Sequence, residues 1–121
     1  MAKPGQPLRV YLAGPMTDIV DDNKPAFDRA ASLLRALGFH VESPAENKAP
    51  CENPTWEDWM RTAIPQMLTC NAVVMLPGWP NSKGARLEKE LAVKLGMQVS
   101  ELYEALELLP WTIEESVRLQ P

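Results

Sequence analysis

The stretch Ala72-Val73-Val74-Met75-Leu76 is an uninterrupted apolar run, and Pro77-Gly78 closes it. A short apolar run between turn residues is typical of a central strand in a parallel sheet, because helices cover both faces of such a strand. The stretch therefore predicts a buried strand, and the segments around it decide the kind of sheet to which that strand belongs.

Two strands and a helix are predicted upstream of this run. Arg9–Ala13 has the composition of a short strand and ends at a Gly-Pro pair. After a polar loop, a helix begins at Pro25 and ends before Gly38, where a left-handed residue fits. Its apolar residues recur at steps of three and four: Phe27, Ala30, Ala31, Leu34 and Leu37. Phe39–Glu42 is predicted to be the second strand.

Two more helices and another strand flank the apolar run. Thr55 can cap the second helix with Asp58 at the capping-box position, and Pro65 should kink or split that helix. Gly84–Leu95 is the predicted third helix, and Met97–Val99 is the predicted fourth strand.

This order of strands and helices predicts an α/β fold, a flavodoxin- or Rossmann-like parallel sheet of about four or five strands with flanking helices. We expect a single domain over residues 1–121, with its core at about 8–100 and a helical tail at 101–121. In a flavodoxin-like strand order, ligands bind in the crevice at the carboxyl ends of the first and third strands. The segments there are Gly14–Thr17 and Gly78–Gly84.

Composition narrows the classes of function. The chain has 121 residues, 45% of them hydrophobic, and its formal net charge of −4 disfavours a large nucleic-acid surface. No apolar run approaches the ~18 residues of a membrane span, and the start lacks the apolar core of a signal peptide. We therefore expect no membrane association and a cytoplasmic location.

Metal and dinucleotide chemistry have little support in the sequence. The two cysteines lack metal or redox spacing, and a single histidine cannot build a histidine-rich site. Asp18, Asp21 and Asp22 lack the spacing of a metal-binding loop. Because no G-x-G-x-x-G or Walker motif is present, we expect neither a metal nor a cofactor.

One carboxylate of the third helix lies on the side that should face the sheet. At about 100° per residue, Glu88 falls among the apolar positions of the helix, whereas Glu90 lies outside them and can pair with Arg86 or Lys94. These apolar positions are Leu87, Leu91, Gly84, Leu95 and Ala92. Glu88 either leans out to water from the margin of the stripe or is a nucleophile or general base at the crevice.

Other candidates surround the same crevice, and each has an ordinary structural alternative. Tyr11 can point its hydroxyl toward Glu88, or it is a core tyrosine. Ser82 and the helix amides after it can hold a phosphate, or the serine only caps the helix. Trp79 can stack on a base or pack in its loop, and Arg86 can reach an anion or remain solvated. The remaining candidate ligand-binding residues are Gly14, Pro15, Met16, Thr17 and Gly84.

Several segments together resemble the nucleoside 2-deoxyribosyltransferase-like superfamily. The similarity is strongest to a small bacterial and phage domain family of unknown function within it, with some similarity to deoxynucleoside 5′-monophosphate N-glycosidases. The resemblance covers roughly residues 8 to 99, in the segments Tyr11–Thr17, Pro25–Phe27, Leu33–Gly38, Ser43–Glu46, Trp56–Leu68, Leu76–Trp79 and Ser82–Glu88. Each segment alone is weak, but their order and combination are specific.

The resemblance implies roles for several residues. Glu88, with Gly84 four residues before it, matches the nucleophile that attacks the anomeric carbon of a deoxyribonucleoside, and Tyr11 matches the tyrosine that orients it. Ser82 lies where the monophosphate-hydrolysing branch has a phosphate-binding serine and the transferases have an aspartate.

Two positions depart from the superfamily pattern. Ala63 stands where relatives commonly carry an aspartate that handles the leaving base, and Asn71 replaces an aspartate that often precedes the third strand. Glu57 or Asp58, on the turn of the second helix before Ala63, is a candidate to replace the missing acid.

Three functions from different classes remain open. The first is cleavage or deoxyribosyl transfer at the N-glycosidic bond of a nucleoside or nucleoside 5′-monophosphate. The second is a non-catalytic nucleotide-binding protein, and the third is a phage or bacterial accessory interaction protein with a vestigial pocket. We expect a nucleoside or nucleotide as the ligand and, from the superfamily, a homodimer or higher homo-oligomer.

Overall fold

The computed structural model of the protein describes residues 8–102, so the expected helical tail lies outside the described residues beyond Leu102. Within this range the strands are β1 (Arg9–Ala13), β2 (His40–Glu42), β3 (Ala72–Met75) and β4 (Gln98–Glu101). The α-helices are α1 (Lys24–Ala36), α2 (Trp56–Leu68) and α3 (Lys83–Lys94), which follow β1, β2 and β3 in turn. Short 3-10 helices lie at Val20–Asn23, Pro44–Glu46 and Trp79–Asn81.

The four strands form one parallel sheet in the order β2-β1-β3-β4. β1 and β3 are neighbours, in register from Val10 opposite Ala72 to Ala13 opposite Met75. Every residue of β3 is buried, as the apolar run predicts. The α/β fold with a flavodoxin-like strand order is thus confirmed, and its topological switch point lies at the carboxyl ends of β1 and β3.

Alternate residues of β1 point to opposite faces of the sheet and build two core clusters. Val10 and Leu12 pack with α1, whereas Tyr11 and Ala13 pack with α2 and α3. The helices supply Phe27, Ala30, Ala31 and Leu34 to the first cluster and Ala63, Met67, Ala85 and Ala92 to the second. Tyr11 therefore lies on the face of the sheet that α2 and α3 cover.

The ends of the helices follow local signals in the sequence. Gly38, beyond α1, is left-handed at φ +99°, and Thr55 and Asp58 form the predicted capping box of α2. Pro65 does not split α2, which is continuous from Trp56 to Leu68. Pro65 and Arg61 are both exposed, so water can solvate the Arg61 carbonyl that Pro65 leaves without a helical partner. No helix within residues 8–102 is long and apolar enough to cross a membrane.

Candidate active site

Glu88 is the buried carboxylate of α3, and it is only 5% exposed. Ala85 and Ala92, about one turn before and after it, are buried as well, so the three residues share the side of α3 that packs on the sheet. The interpretation in which Glu88 leans out to water is therefore wrong. Glu90 lies on the outer side and pairs with Lys94 at 3.0 Å, as its spacing predicts.

The hydroxyl of Tyr11, fully buried within β1, donates a hydrogen bond to Oε2 of Glu88. This contact confirms the predicted direction of the tyrosine side chain. Burial raises the pKa of Glu88 to about 7, and the hydrogen bond from Tyr11 opposes that rise. Burial, followed by the charge of Glu88, raises the pKa of Tyr11 well above its usual range. Near neutral pH the pair therefore combines a partly ionised carboxylate with a phenol that stays protonated.

A carboxylate of this kind suits nucleophilic or general-base chemistry. Its pKa lies near neutral pH, where both its ionised and protonated forms are populated. Because the Tyr11 hydroxyl holds one carboxylate oxygen, the other oxygen has a defined direction.

The start of α3 is built by Ser82 and its neighbours. Oγ of Ser82 accepts a hydrogen bond from the Ala85 amide at 3.1 Å, so this serine caps the helix. Nη1 of Arg86 donates to the carbonyl of Pro80 at 2.8 Å, which ties its side chain to the preceding 3-10 helix. Ser82 and Arg86 thus have structural partners, and ligand binding by either remains a prediction.

Gly14 and Gly78 bring the loops after β1 and β3 together. Gly14 is buried, and a Cβ there would lie 2.9 Å from Cβ of Leu76, so this approach requires glycine. Gly78 is left-handed at φ +87°, and a Cβ on it would lie 3.3 Å from Cγ of Pro15. The two crevice loops are therefore in contact at the switch point.

The other candidates in the first loop are placed differently. Met16 packs against the cluster on the α1 face of the sheet, opposite to the face that holds Tyr11. Thr17 is exposed, and the carbonyl of Pro15 accepts a hydrogen bond from Nδ2 of Asn23 at 2.9 Å. The structure therefore does not group Met16 with the Tyr11–Glu88 pair.

Trp79 is held toward β4. Its Nε1 donates to Oε1 of Glu101 at 3.1 Å, and Nζ of Lys89 lies 4.4 Å from the centroid of its ring. A pocket of about 330 Å³ lies beside the ring and is also lined by Gly78 and Leu102. Since Lys89 covers part of the ring and Glu101 takes its N–H, a base that stacks on Trp79 must use the remaining face.

Trp56 and Met60 of α2 lie against the start of α3, a position that the sequence does not reveal. A Cβ on Gly84 would lie 3.2 Å from Sδ of Met60 and 3.6 Å from Nε1 of Trp56. Nζ of Lys83 lies 3.9 Å from the centroid of the Trp56 ring. The spacing of four residues puts both side chains on one side of α2, but only the packing of the helices shows which neighbour they meet.

Ala63, Asn71 and Asp58 have structural roles here. Ala63 is buried in the same cluster as Tyr11. Oδ1 of Asn71 accepts from the Arg9 amide at 3.0 Å and so joins the segment before β3 to the start of β1. The carboxylate of Asp58 accepts the Thr55 amide at 2.9 Å and caps α2, and a substitute acid role for Asp58 or Glu57 remains a prediction.

One buried hydroxyl lies at the carboxyl edge of the sheet. The hydroxyl of Ser43, just after β2, is the one buried side-chain polar atom without a hydrogen-bond partner in the described part of the chain. No group of three or more His, Cys, Asp or Glu side chains within residues 8–102 is arranged to hold a metal ion.

Comparison with known proteins places this site in a family. No curated protein matches the chain at a significant level. The family model described as a domain of unknown function, DUF4406, matches residues 8–101. That range contains all four strands of the sheet and the three helices that cover it. The chain therefore belongs to the DUF4406 family.

Proposed function

We propose that the protein cleaves or transfers the N-glycosidic bond of a nucleoside or nucleoside 5′-monophosphate, with Glu88 as the nucleophile. The observation that carries this proposal is the buried, hydrogen-bonded pair of Tyr11 and Glu88 behind the carboxyl ends of β1 and β3. The resemblance to nucleoside 2-deoxyribosyltransferase-like proteins supplies the class of reaction.

In the proposed reaction the free carboxylate oxygen of Glu88 attacks C1′ of the sugar. A C1′–O bond forms as the C1′–N bond breaks, and the electron pair of the broken bond goes to the base. Water or an incoming base then attacks C1′ and releases the carboxylate. Tyr11 is the positioning residue, because its hydroxyl holds Oε2 and leaves Oε1 to attack. Since Glu88 is 5% exposed, the side chains that cover it must move before a substrate can reach it.

The start of α3 supports binding of a 5′-phosphate. A helix N-terminus presents unpaired amides and a partial positive charge to an anion. Oγ of Ser82 accepts from the Ala85 amide, so its proton is still available to a phosphate oxygen. Lys83 begins the same helix, and its charge, held over the Trp56 ring, adds to the positive potential at this end of α3.

The Glu88→Gln variant tests the nucleophile. Wild type and variant are mixed with deoxynucleosides, ribonucleosides and their 5′-monophosphates, and released base is measured by liquid chromatography while thermal shifts report binding. We expect Glu88→Gln to lower base release by roughly a thousandfold or more and to keep the thermal shift. Glu90→Gln is the matched control, since Glu90 lies on the outer side of the same helix. Unchanged turnover in Glu88→Gln would contradict the assignment.

A non-catalytic nucleotide-binding protein is the second candidate, favoured by Ala63 in place of an acid near the pair. Stabilisation by a nucleotide without base release at high enzyme concentration supports this alternative. An accessory interaction protein with a vestigial pocket predicts no shift with any nucleotide. We also propose a cytoplasmic location and, from the resemblance, a homo-oligomer, whose oligomeric state sedimentation velocity measures.

A further inference from the structure

Cleavage of an N-glycosidic bond leaves an electron pair on the departing base. Glycosidases commonly use two carboxylates, one at the sugar and one that protonates the leaving group. Among residues 8–102, Glu88 is the only buried carboxylate, and the proposed function assigns it to the sugar. Protonation of the leaving base therefore requires a second acid beside Glu88.

Among the other described carboxylates, Glu57 on α2 and the aspartates in the loop after β1 are exposed, and three near the strands and helices of the site have partners elsewhere. Asp58 caps α2, and Glu42 is hydrogen-bonded by Nε2 of His40 at 2.6 Å and Nε2 of Gln66 at 3.2 Å. Glu101 accepts the indole N–H of Trp79 at the far edge of the sheet, on β4.

The side of α2 that faces the pair is apolar. Its buried residues, Ala63 and Met67, share a cluster with Tyr11, and Met60 continues that surface to the start of α3. Tyr11 itself is a poor proton donor for the leaving base, because its hydroxyl is hydrogen-bonded to Glu88 and its pKa is raised. The buried residues that share the cluster with Tyr11 are otherwise apolar apart from Cys70, whose thiol donates to the Gln66 carbonyl, so this cluster holds no carboxylic acid beside the pair.

We propose, on the basis of the proposed function, that the substrates are nucleosides or 5′-monophosphates whose base departs as a stabilised anion, without a proton from any side chain of residues 8–102. The C1′–O bond to Glu88 forms, the C1′–N bond breaks, and the electron pair stays on the base nitrogen. The base anion takes its proton from solvent after it departs. Water then attacks C1′, its proton passes to solvent, and the carboxylate of Glu88 is restored.

The test is a series of substrates that differ only at position 5 of the uracil ring. It comprises thymidine, 2′-deoxyuridine, 5-fluoro-2′-deoxyuridine and 5-trifluoromethyl-2′-deoxyuridine, each as the nucleoside and the 5′-monophosphate. kcat/KM is measured because it reports bond cleavage even where a later step limits kcat. We expect kcat/KM to rise at least about tenfold from thymidine to the trifluoromethyl compound, whose substituent is of similar size.

Equal kcat/KM values for thymidine and the trifluoromethyl compound would overturn this inference and leave the proposed function standing. If kcat/KM of the Glu101→Gln variant then depended strongly on the substituent at position 5, Glu101 would be the acid. If neither this series nor any of the deoxynucleosides, ribonucleosides and 5′-monophosphates used in the test of Glu88→Gln is cleaved, the proposed function itself is overturned, and the inference with it.

A gain-of-acid variant adds a second readout. Ala63→Asp should raise kcat/KM for thymidine more than for the trifluoromethyl compound and add a descending limb at alkaline pH. Ala63→Asn is the matched control, since it has a similar shape and no acid. If both variants fold, as judged by circular dichroism, and behave identically, the leaving base does not face α2 and the inference fails. If Ala63→Asp does not fold, the wild-type series still decides.

Discussion

At Glu88 the cost of burying a carboxylate is set against the hydrogen bond from Tyr11. Burial favours the neutral acid, whereas a donor to the charged form favours the carboxylate. The net effect keeps the pKa of Glu88 at about 7. Burial thus sets the direction of the shift in the pKa of Glu88, and the Tyr11 hydroxyl limits its size.

Tyr11→Phe removes this donor and should raise the pKa of Glu88 further. A hydrogen bond to a charged group is worth about 1.5–3 kcal/mol, so we expect kcat/KM at pH 7 to fall by roughly ten- to a hundredfold. The ascending limb of the pH profile should move toward alkaline pH, which a merely structural role would not produce. An unshifted limb in pH profiles of the two proteins would argue against Tyr11 as the positioning residue.

At the scale of elements, the crevice depends on how closely the loop after β1 approaches the end of β3. Gly14 permits that approach, because a Cβ there would lie 2.9 Å from Cβ of Leu76, an atom close to the backbone that cannot move aside. Gly84 is also packed closely, but its nearest neighbour is Sδ of Met60 at 3.2 Å, which is part of a flexible side chain. The two glycines should therefore respond differently to the same substitution.

Gly14→Ala should lower the free energy of unfolding by about 1–3 kcal/mol through overpacking against Leu76. Gly84→Ala is the comparison, and we expect its effect to stay within about 1 kcal/mol, because Met60 can adjust and alanine favours the helix. Urea denaturation followed by circular dichroism measures both. Equal losses in the two variants would show that the contact with Leu76 is not the cause.

At the scale of the whole molecule, Glu88 makes the stability of the fold depend on pH. Below its ordinary pKa of 4.5 the carboxyl is protonated in both the folded and unfolded chain. Between 4.5 and about 7 the unfolded chain has released this proton while the folded chain still holds it, so stability falls as pH rises. Above about 7 both states are ionised, and the loss is complete.

Glu88→Gln removes this contribution because glutamine stays neutral. We expect the free energy of unfolding of the variant, relative to wild type, to rise by roughly 3 kcal/mol between pH 4.5 and 7. Denaturation at several pH values measures it, and subtraction of the two proteins cancels the other titrating groups. Glu90→Gln should show no such trend, since Glu90 is exposed and makes only a surface ion pair with Lys94. A constant difference between Glu88→Gln and wild type would contradict the raised pKa.

Local patterns in the sequence were sufficient for the elements and the fold class. Periodicity and caps predicted the helices, the apolar run predicted the buried β3, and the same periodicity placed Glu88 on the inner side of α3. These features depend on neighbours within a few residues along the chain, so they can be read from spacing alone. Pro65 does not split α2, because water at the exposed helix face can solvate the carbonyl that the proline leaves without a partner.

The tertiary structure decided which of the alternatives holds for groups that are far apart in the chain. Tyr11 and Glu88 are 77 residues apart, and their hydrogen bond exists because β1 and β3 are neighbours and α3 crosses over them. The same packing sets Met60 against Gly84 and turns Trp79 toward Glu101. Such contacts depend on the strand order and on how the helices pack across the sheet. Both involve residues far apart in the chain, so the spacing of neighbouring residues does not determine them.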